Sequence, residues 1–301
     1  METRPFGQTG WQVSRLGVGL SEIGYGLTFA EAEQASKVLN AALDNGINLL
    51  DTSACYNISE ELVGRTVAHR RDEYFLATKA GHVTGGYQGE EWTYQTVADS
   101  IDRSLKRLRT DHLDVVQLHS CGVDVLERGD VIRALQEARE AGKTRFIGYS
   151  GDNEAALWAI ESGLFDTLQT SFNLTDQRAW RLLLPKAKAR GMGTIAKRPI
   201  GNAAWGVASS PSGYADEYWK RAQAMTAEGP LPGEPADRIA LALGFTLAHD
   251  TVDVAIIGTK NPAHMLANIG LVEEGLGLAD ETVAALHERF ERLDDGWEQK
   301  G

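Results

Sequence analysis

Short apolar runs alternate with longer segments of helical period along nearly the whole chain, and that alternation narrows the folds open to it. Eight stretches read as strands, at residues 15–20, 48–53, 74–80, 114–119, 145–150, 167–173, 193–199 and 253–258. Several are almost continuously apolar, as strands are when both faces are covered. The intervening segments carry stripes at spacings of three and four: Ala35, Val38, Leu39 and Ala42; Val97, Ile101, Leu105 and Leu108; Ile132, Leu135 and Ala138. Gly46, Gly142, Gly163 and Gly191 each close a helical run before a strand, where a left-handed cap turns the chain. The eight strand–helix units predict an α/β fold, a (β/α)8 TIM barrel forming a single domain over residues 1–301. A doubly wound sheet shares the alternation, but no Gly-x-Gly-x-x-Gly follows an early strand, and Gly17-Val-Gly19 lacks the third glycine.

A parallel barrel gathers its chemistry at the carboxyl ends of its strands. Asp51 closes one expected strand with Tyr56 five residues on; Lys79 closes the next strand and His119 the one after. A tyrosine is a poor acid at neutral pH unless its phenolate is stabilised, and a neighbouring ammonium does that. Asp51 is placed to keep Lys79 charged, and His119 to hydrogen-bond a substrate oxygen or relay a proton. The set reads as a general acid–base device aimed at a carbonyl or alcohol oxygen. A Schiff-base role for Lys79 is the rival, and Asp51 argues against it by holding the lysine charged.

Two long loops fall on the same rim, at residues 81–92 and 201–235. Both are rich in aromatic residues, and a short helix is expected within 214–227. Tyr25, Trp92 and Trp205 are candidate substrate walls; the alternative is that such aromatics pin the loops to the barrel. The net charge of −12 argues against a nucleic-acid or anionic-membrane surface. No apolar run approaches the ~20 residues that span a bilayer. The opening Met-Glu-Thr-Arg-Pro-Phe does not read as a signal peptide, and Cys55 and Cys121 read as two thiols of a reducing compartment, so a cytoplasmic protein is expected. The histidines show no metal-ligand spacing, and no metal site is expected.

Several short segments, in combination, resemble the aldo-keto reductase family over about residues 4 to 290. They are Phe6-Gly-Gln-Thr-Gly10 with Val13-Ser-Arg-Leu-Gly-Val-Gly19, Asp51-Thr-x-x-x-Tyr56 with Ser59-Glu60, Thr78-Lys79, and Gln117-Leu-His119. The resemblance implies an N-terminal β-hairpin ahead of the barrel, and NADPH-dependent reduction of an aldehyde or ketone with Tyr56 as proton donor. Asp51 and Lys79 then tune Tyr56, and His119 orients the carbonyl. It also implies that Gly19 and Gly258 line the cofactor, and that Ser150 and Gln169 hold the nicotinamide carboxamide. Lys260 and His264 would meet an adenosine 2′-phosphate and Asn268 the adenine, favouring NADP(H) over NAD(H). The chain departs from the family pattern at Gly151, where an asparagine is usual, and at Lys197-Arg198, where an aromatic and a small polar residue are usual. The expectation is that Lys197 or Arg198 binds the cofactor pyrophosphate instead. A nicotinamide-binding redox sensor with little turnover is the alternative from another functional class.

Overall fold

The structure, a computed structural model, describes residues 1–300. An antiparallel hairpin of β1 (Thr3–Pro5) and β2 (Gln12–Ser14) precedes eight parallel strands. These are β3 (Leu16–Gly19), β4 (Leu49–Asp51), β5 (Phe75–Ala80), β6 (Leu113–His119), β7 (Thr144–Ser150), β8 (Thr167–Ser171), β9 (Gly193–Lys197) and β10 (Val254–Ile257). They pair in chain order and close into a barrel through β10 and β3. All eight expected strands are present, most of them trimmed at the ends. The eighth-strand run stops at Ile257 and the sixth at Ser171, because Asn173 leaves the ladder to bridge Asp176 in a tight turn.

Residues two apart on a strand share a face, and here that period sorts the barrel interior into layers. Leu49, Ala77, Val115, Ile195, Val254 and Ile256 form an apolar floor. Two residues further along β4, β5, β6 and β9 come Asp51, Lys79, Gln117 and Lys197, a polar layer above that floor. From below, the hairpin closes the barrel: Phe6 and Val13 are fully buried against the floor, and Trp11 stacks on Phe75 at 4.2 Å and meets Phe146 edge-on at 4.8 Å. Water therefore reaches the polar layer only from the carboxyl-end mouth.

The helices cover the barrel as their stripes predict. Ala35, Val38, Leu39 and Ala42 are buried on the helix Ala32–Asp44, and Ile132, Leu135 and Ala138 on Asp130–Glu140. Gly46, Gly142, Gly163 and Gly191 all take positive φ, between 67° and 81°, where a side chain is disfavoured. The expected rim helix is Asp216–Thr226. Among the described residues, all but one of the non-glycine residues with positive φ (Asn57, Trp92, Ser120, Asn153, Arg198, Asn202 and Ala203, with Arg109 the exception) lie on connections leaving the strands' carboxyl ends. Backbone strain of this kind persists only where surroundings impose it, and it gathers at functional faces. No helix is long and apolar enough to cross a membrane.

If the hairpin seals the floor, Phe6→Ala should lower the free energy of unfolding by about 3–5 kcal/mol. Urea denaturation followed by tryptophan fluorescence measures this; a loss under about 1 kcal/mol would mean that Phe6 is not a core side chain.

Candidate active site

Asp51 is the hub of the mouth. Its Oδ2 accepts from Lys79 Nζ at 2.7 Å, and Lys79 also donates to the Thr52 carbonyl at 2.9 Å. Asp51 Oδ1 accepts from Gln169 Nε2 at 2.8 Å and from Gln117 Nε2 at 3.3 Å. Ser150 Oγ in turn donates to Gln169 Oε1 at 2.8 Å. One carboxylate thus joins side chains from β4, β5, β6, β7 and β8, all of them essentially inaccessible to water. Burial, the largest single influence, pulls Lys79 toward neutrality, but Asp51 and Tyr56 together overcome it and hold the ammonium above the ordinary lysine value. An ammonium paired with Asp51 has no lone pair with which to attack a carbonyl, which argues against the Schiff-base reading.

Tyr56 sits on the short connection after β4, its N–H donating to the Ser53 carbonyl at 3.0 Å. Its ring lies 4.8 Å from Lys79 Nζ, and the His119 ring meets it edge-on at 5.7 Å. Burial pushes the Tyr56 phenol up to about 12, while Lys79 works in the opposite direction. The sequence reading had the sign of the lysine effect but not the larger effect of burial. His119 is driven well below the usual histidine value, first by burial and then by the Lys79 charge, so its imidazole is neutral at pH 7. Its Nδ1 lies 3.3 Å from both Ser53 Oγ and Cys55 Sγ, which fix the ring. The thiols of Cys55 and Cys121 are unbridged.

The rim adds a residue that the sequence reading passed over. His82, three residues beyond Lys79, packs edge-on against both His119 (5.2 Å) and Trp92 (4.6 Å), and its Nδ1 is 3.2 Å from Glu91 Oε1. Trp92 lies directly over Gly81, whose missing side chain makes room for the indole. The only signal was position on the loop already marked as unusual. Tyr25 is exposed on the opposite side, its hydroxyl donating to the Cys55 carbonyl at 2.7 Å and its ring 6.2 Å from that of Tyr56. Trp205, by contrast, is buried and packed into the core.

The residues expected to meet a cofactor divide into two groups. Gly19 and Gly258 stand side by side at the ends of β3 and β10, and a Cβ on Gly258 would come within 3.1 Å of the Gly19 carbonyl. Beyond them, the helix Pro262–Glu273 presents its N-terminus to the mouth, with Lys260 and His264 exposed and Asn268 buried. Asn261 Oδ1 accepts from Ala263 N at 3.0 Å, so this helix end is partly capped by its own chain. Open glycine backbone, a helix N-terminus and a nearby cation together fit a phosphorylated ligand.

The second group is tied into the protein. Lys197 Nζ is 2.9 Å from Asp152 Oδ2, a carboxylate that also accepts from Thr170 Oγ1 and Ser171 N. Arg198 donates to Ser171 Oγ at 3.0 Å, to the Lys300 carbonyl and to the Tyr214 hydroxyl. Asp152, two residues past β7, thus pairs with the Lys197 ammonium, and Arg198 is held by the rim. Ser150 and Gln169 are bonded to each other and, through Gln169 Nε2, to Asp51.

A closed parallel barrel with a buried Lys–Asp pair, a flanking tyrosine and a neutral histidine at its mouth defines an oxidoreductase-type site for carbonyl and alcohol chemistry. The model of the aldo/keto reductase family matches residues 15–289, and the chain belongs to that family of nicotinamide-dependent oxidoreductases. It is 28% identical to L-galactose dehydrogenase of Arabidopsis thaliana over 94% of this chain and 92% of that protein. It is 27% identical to 6-dehydroglucose reductase of Novosphingobium aromaticivorans over 94% of this chain and 96% of that one. Among solved structures, an aldo-keto reductase from Bacillus halodurans in its holo form superposes with a TM-score of 0.82 at 24% identity, covering 96% of both chains, a likeness of fold.

With His119 neutral across the physiological range, its imidazole NMR resonances should show no titration midpoint near 6.5, the ordinary histidine value. A midpoint there would mean that the ring is more solvated than its packing indicates.

Proposed function

We propose that this chain reduces a small aldehyde or ketone with NADPH, and runs the reverse oxidation of the alcohol. The observation that carries the reading is the contact of Tyr56 with a lysine whose charge is secured by a buried carboxylate. The reduced nicotinamide, when bound, supplies the hydride. Tyr56 gives its phenolic proton to the carbonyl oxygen, and its high proton affinity keeps it in the acid form at neutral pH. The tyrosinate left behind is stabilised by the Lys79 ammonium until a proton returns from the mouth. His119, being neutral, can hydrogen-bond the same oxygen without adding a second positive charge beside Lys79.

Lys260 and His264 support the phosphorylated cofactor over its unphosphorylated counterpart, since both stand exposed beside the N-terminus of the helix Pro262–Glu273. The proposed substrates are small polyhydroxylated carbonyl compounds. Two of the relatives are named for sugar chemistry. The rim also pairs the flat faces of Tyr25 and Trp92 with the polar ends of His82 and Glu91, a combination suited to C–H faces and hydroxyls.

Tyr56→Phe should cut the rate of carbonyl reduction by roughly 10²–10⁴-fold while NADPH still binds. A panel of aldoses and apolar aldehydes, followed by NADPH absorbance, tests both donor and substrate class; retained turnover in the variant would remove Tyr56 from the proton step. The reverse oxidation needs the tyrosinate, so its rate should rise with pH as pH approaches the Tyr56 value of about 12. Lys260→Ala should weaken NADPH binding by roughly tenfold and leave NADH binding nearly unchanged, because each lost charged hydrogen bond contributes ~1.5 kcal/mol or more. Equal effects on the two cofactors would place the adenosine phosphate elsewhere.

A further inference from the structure

The segment that follows the last helix, Asp280–Leu293, turns Trp297 and Gln299 onto the barrel while Asp295, Gly296, Glu298 and Lys300 stay exposed. It crosses the carboxyl ends of β7, β8 and β9, beside the Asp51 network. Trp297 meets Phe290 edge-on at 5.5 Å and faces the Arg221 guanidinium at 5.2 Å, and Arg221 donates to the Glu298 carbonyl at 2.7 Å. Gln299 then packs over the carboxyl ends of β7 and β8 and is 4% exposed. Its Oε1 accepts from Asn153 N at 3.1 Å; its Nε2 donates to the Ser171 carbonyl at 2.8 Å and to Thr170 Oγ1 at 3.1 Å, with Asp152 Oδ1 at 3.4 Å. The Asn153 side chain returns two bonds of 3.1 Å to the Gln299 backbone. Lys300 N donates to Asp176 Oδ2 at 3.2 Å, and the Lys300 carbonyl accepts from Ser171 Oγ at 3.2 Å and from Arg198.

Of these partners, Asp152, Asn153, Thr170, Ser171 and Arg198 stand within three residues of Ser150, Gln169 or Lys197. Between them, Gly151 carries no side chain, because its Cβ direction is occupied by the Tyr149 ring on the outer side of β7. A Cβ at Gly151 would fall 2.5 Å from the Tyr149 hydroxyl, which is itself bonded to the Cys121 carbonyl. No side chain can stand at 151 while Tyr149 passes beneath it. The buried carboxamide at this corner of the barrel comes from Gln299, about 150 residues away in the chain.

We propose that the segment Trp297–Lys300 is a built-in wall of the nicotinamide site, and that Gln299 is a positioning residue acting through Asp152 on Lys197. The proposal rests on the reading that this mouth binds a nicotinamide nucleotide. Without the Gln299 amide, the Asn153 N–H and the Ser171 carbonyl each lose a buried partner. Asn153 sits at a positive φ of 55°, a conformation that needs such support. Asp152 immediately precedes it and holds the Lys197 ammonium. When that turn relaxes, the lysine at the mouth loses its fixed place, and the surface offered to the cofactor changes.

The test is cofactor affinity measured apart from turnover. NADPH binding is followed by quenching of protein fluorescence in the unmodified protein, in Gln299→Ala, in Asp152→Asn and in the double variant, with thermal melts of each. Gln299→Ala should raise the dissociation constant for NADPH by roughly tenfold, while the rate at saturating NADPH falls by less than about threefold. Because the two residues act in one chain of contacts, the double variant should bind little worse than the weaker single variant. Should Gln299→Ala not fold, Gln299→Met, which keeps the length of the side chain and removes its amide, carries the same expectation. An unchanged dissociation constant with a lowered melting temperature would reduce the segment to a structural brace and overturn the proposal. Tighter binding would also overturn it, by making the segment a competitor of the cofactor. Failure of the unmodified protein to bind either NADPH or NADH would remove the cofactor reading itself, and this proposal with it.

Discussion

The Lys79–Asp51 ion pair is the constraint around which the mouth is arranged. Taking two charges out of water costs several kcal/mol per ion, and mutual attraction repays that only when the remaining hydrogen-bonding positions are filled. Here they are filled: Asp51 receives Lys79, Gln169 and Gln117, and Lys79 also reaches the Thr52 carbonyl. Loss of either charge would leave the other buried without a partner. The pair exists because the apolar floor and the hairpin beneath it exclude water from below, and because neighbouring strands place both residues in one layer.

Much of this was legible from local pattern. The strand period put Asp51, Lys79 and His119 at the same ends of successive strands, and the helical stripes identified the buried faces of Ala32–Asp44 and Asp130–Glu140. What was not legible depends on contacts between distant parts of the chain. Lys197 stood out in sequence, but nothing local says that Asp152 is the carboxylate that pairs with it. Gln299 lies in a stretch with no motif, and its partners are 128 to 147 residues away. The sign of the Tyr56 shift also needed burial, which a sequence states only on average. His82 was within reach, since it follows Lys79 by three residues on a loop already singled out.

The strained connections at the mouth belong to the same picture. Trp92, Ser120, Asn153 and Arg198 hold positive φ on the connections after β5, β6, β7 and β9, and each is held by contacts to another part of the rim. The floor is made of interchangeable aliphatic side chains, whereas the rim is made of residues whose conformations depend on one another. Substitution below the polar layer is accordingly felt as stability, and substitution above it as altered recognition.

The barrel closes where its first and last strands meet, and that seam is also where the open glycine backbone lies. Lys260 Nζ reaches the Gly26 carbonyl at 3.3 Å and Gln34 Nε2 reaches the Lys260 carbonyl at 2.9 Å, contacts that join residues 234 and 226 positions apart. Closing so long a loop is entropically costly and is expected late in folding. A ligand seated on this seam acts as a rivet across the join between the two halves of the chain. Its occupancy would then set how often the ring springs open, and so how long the protein lasts in the presence of proteases.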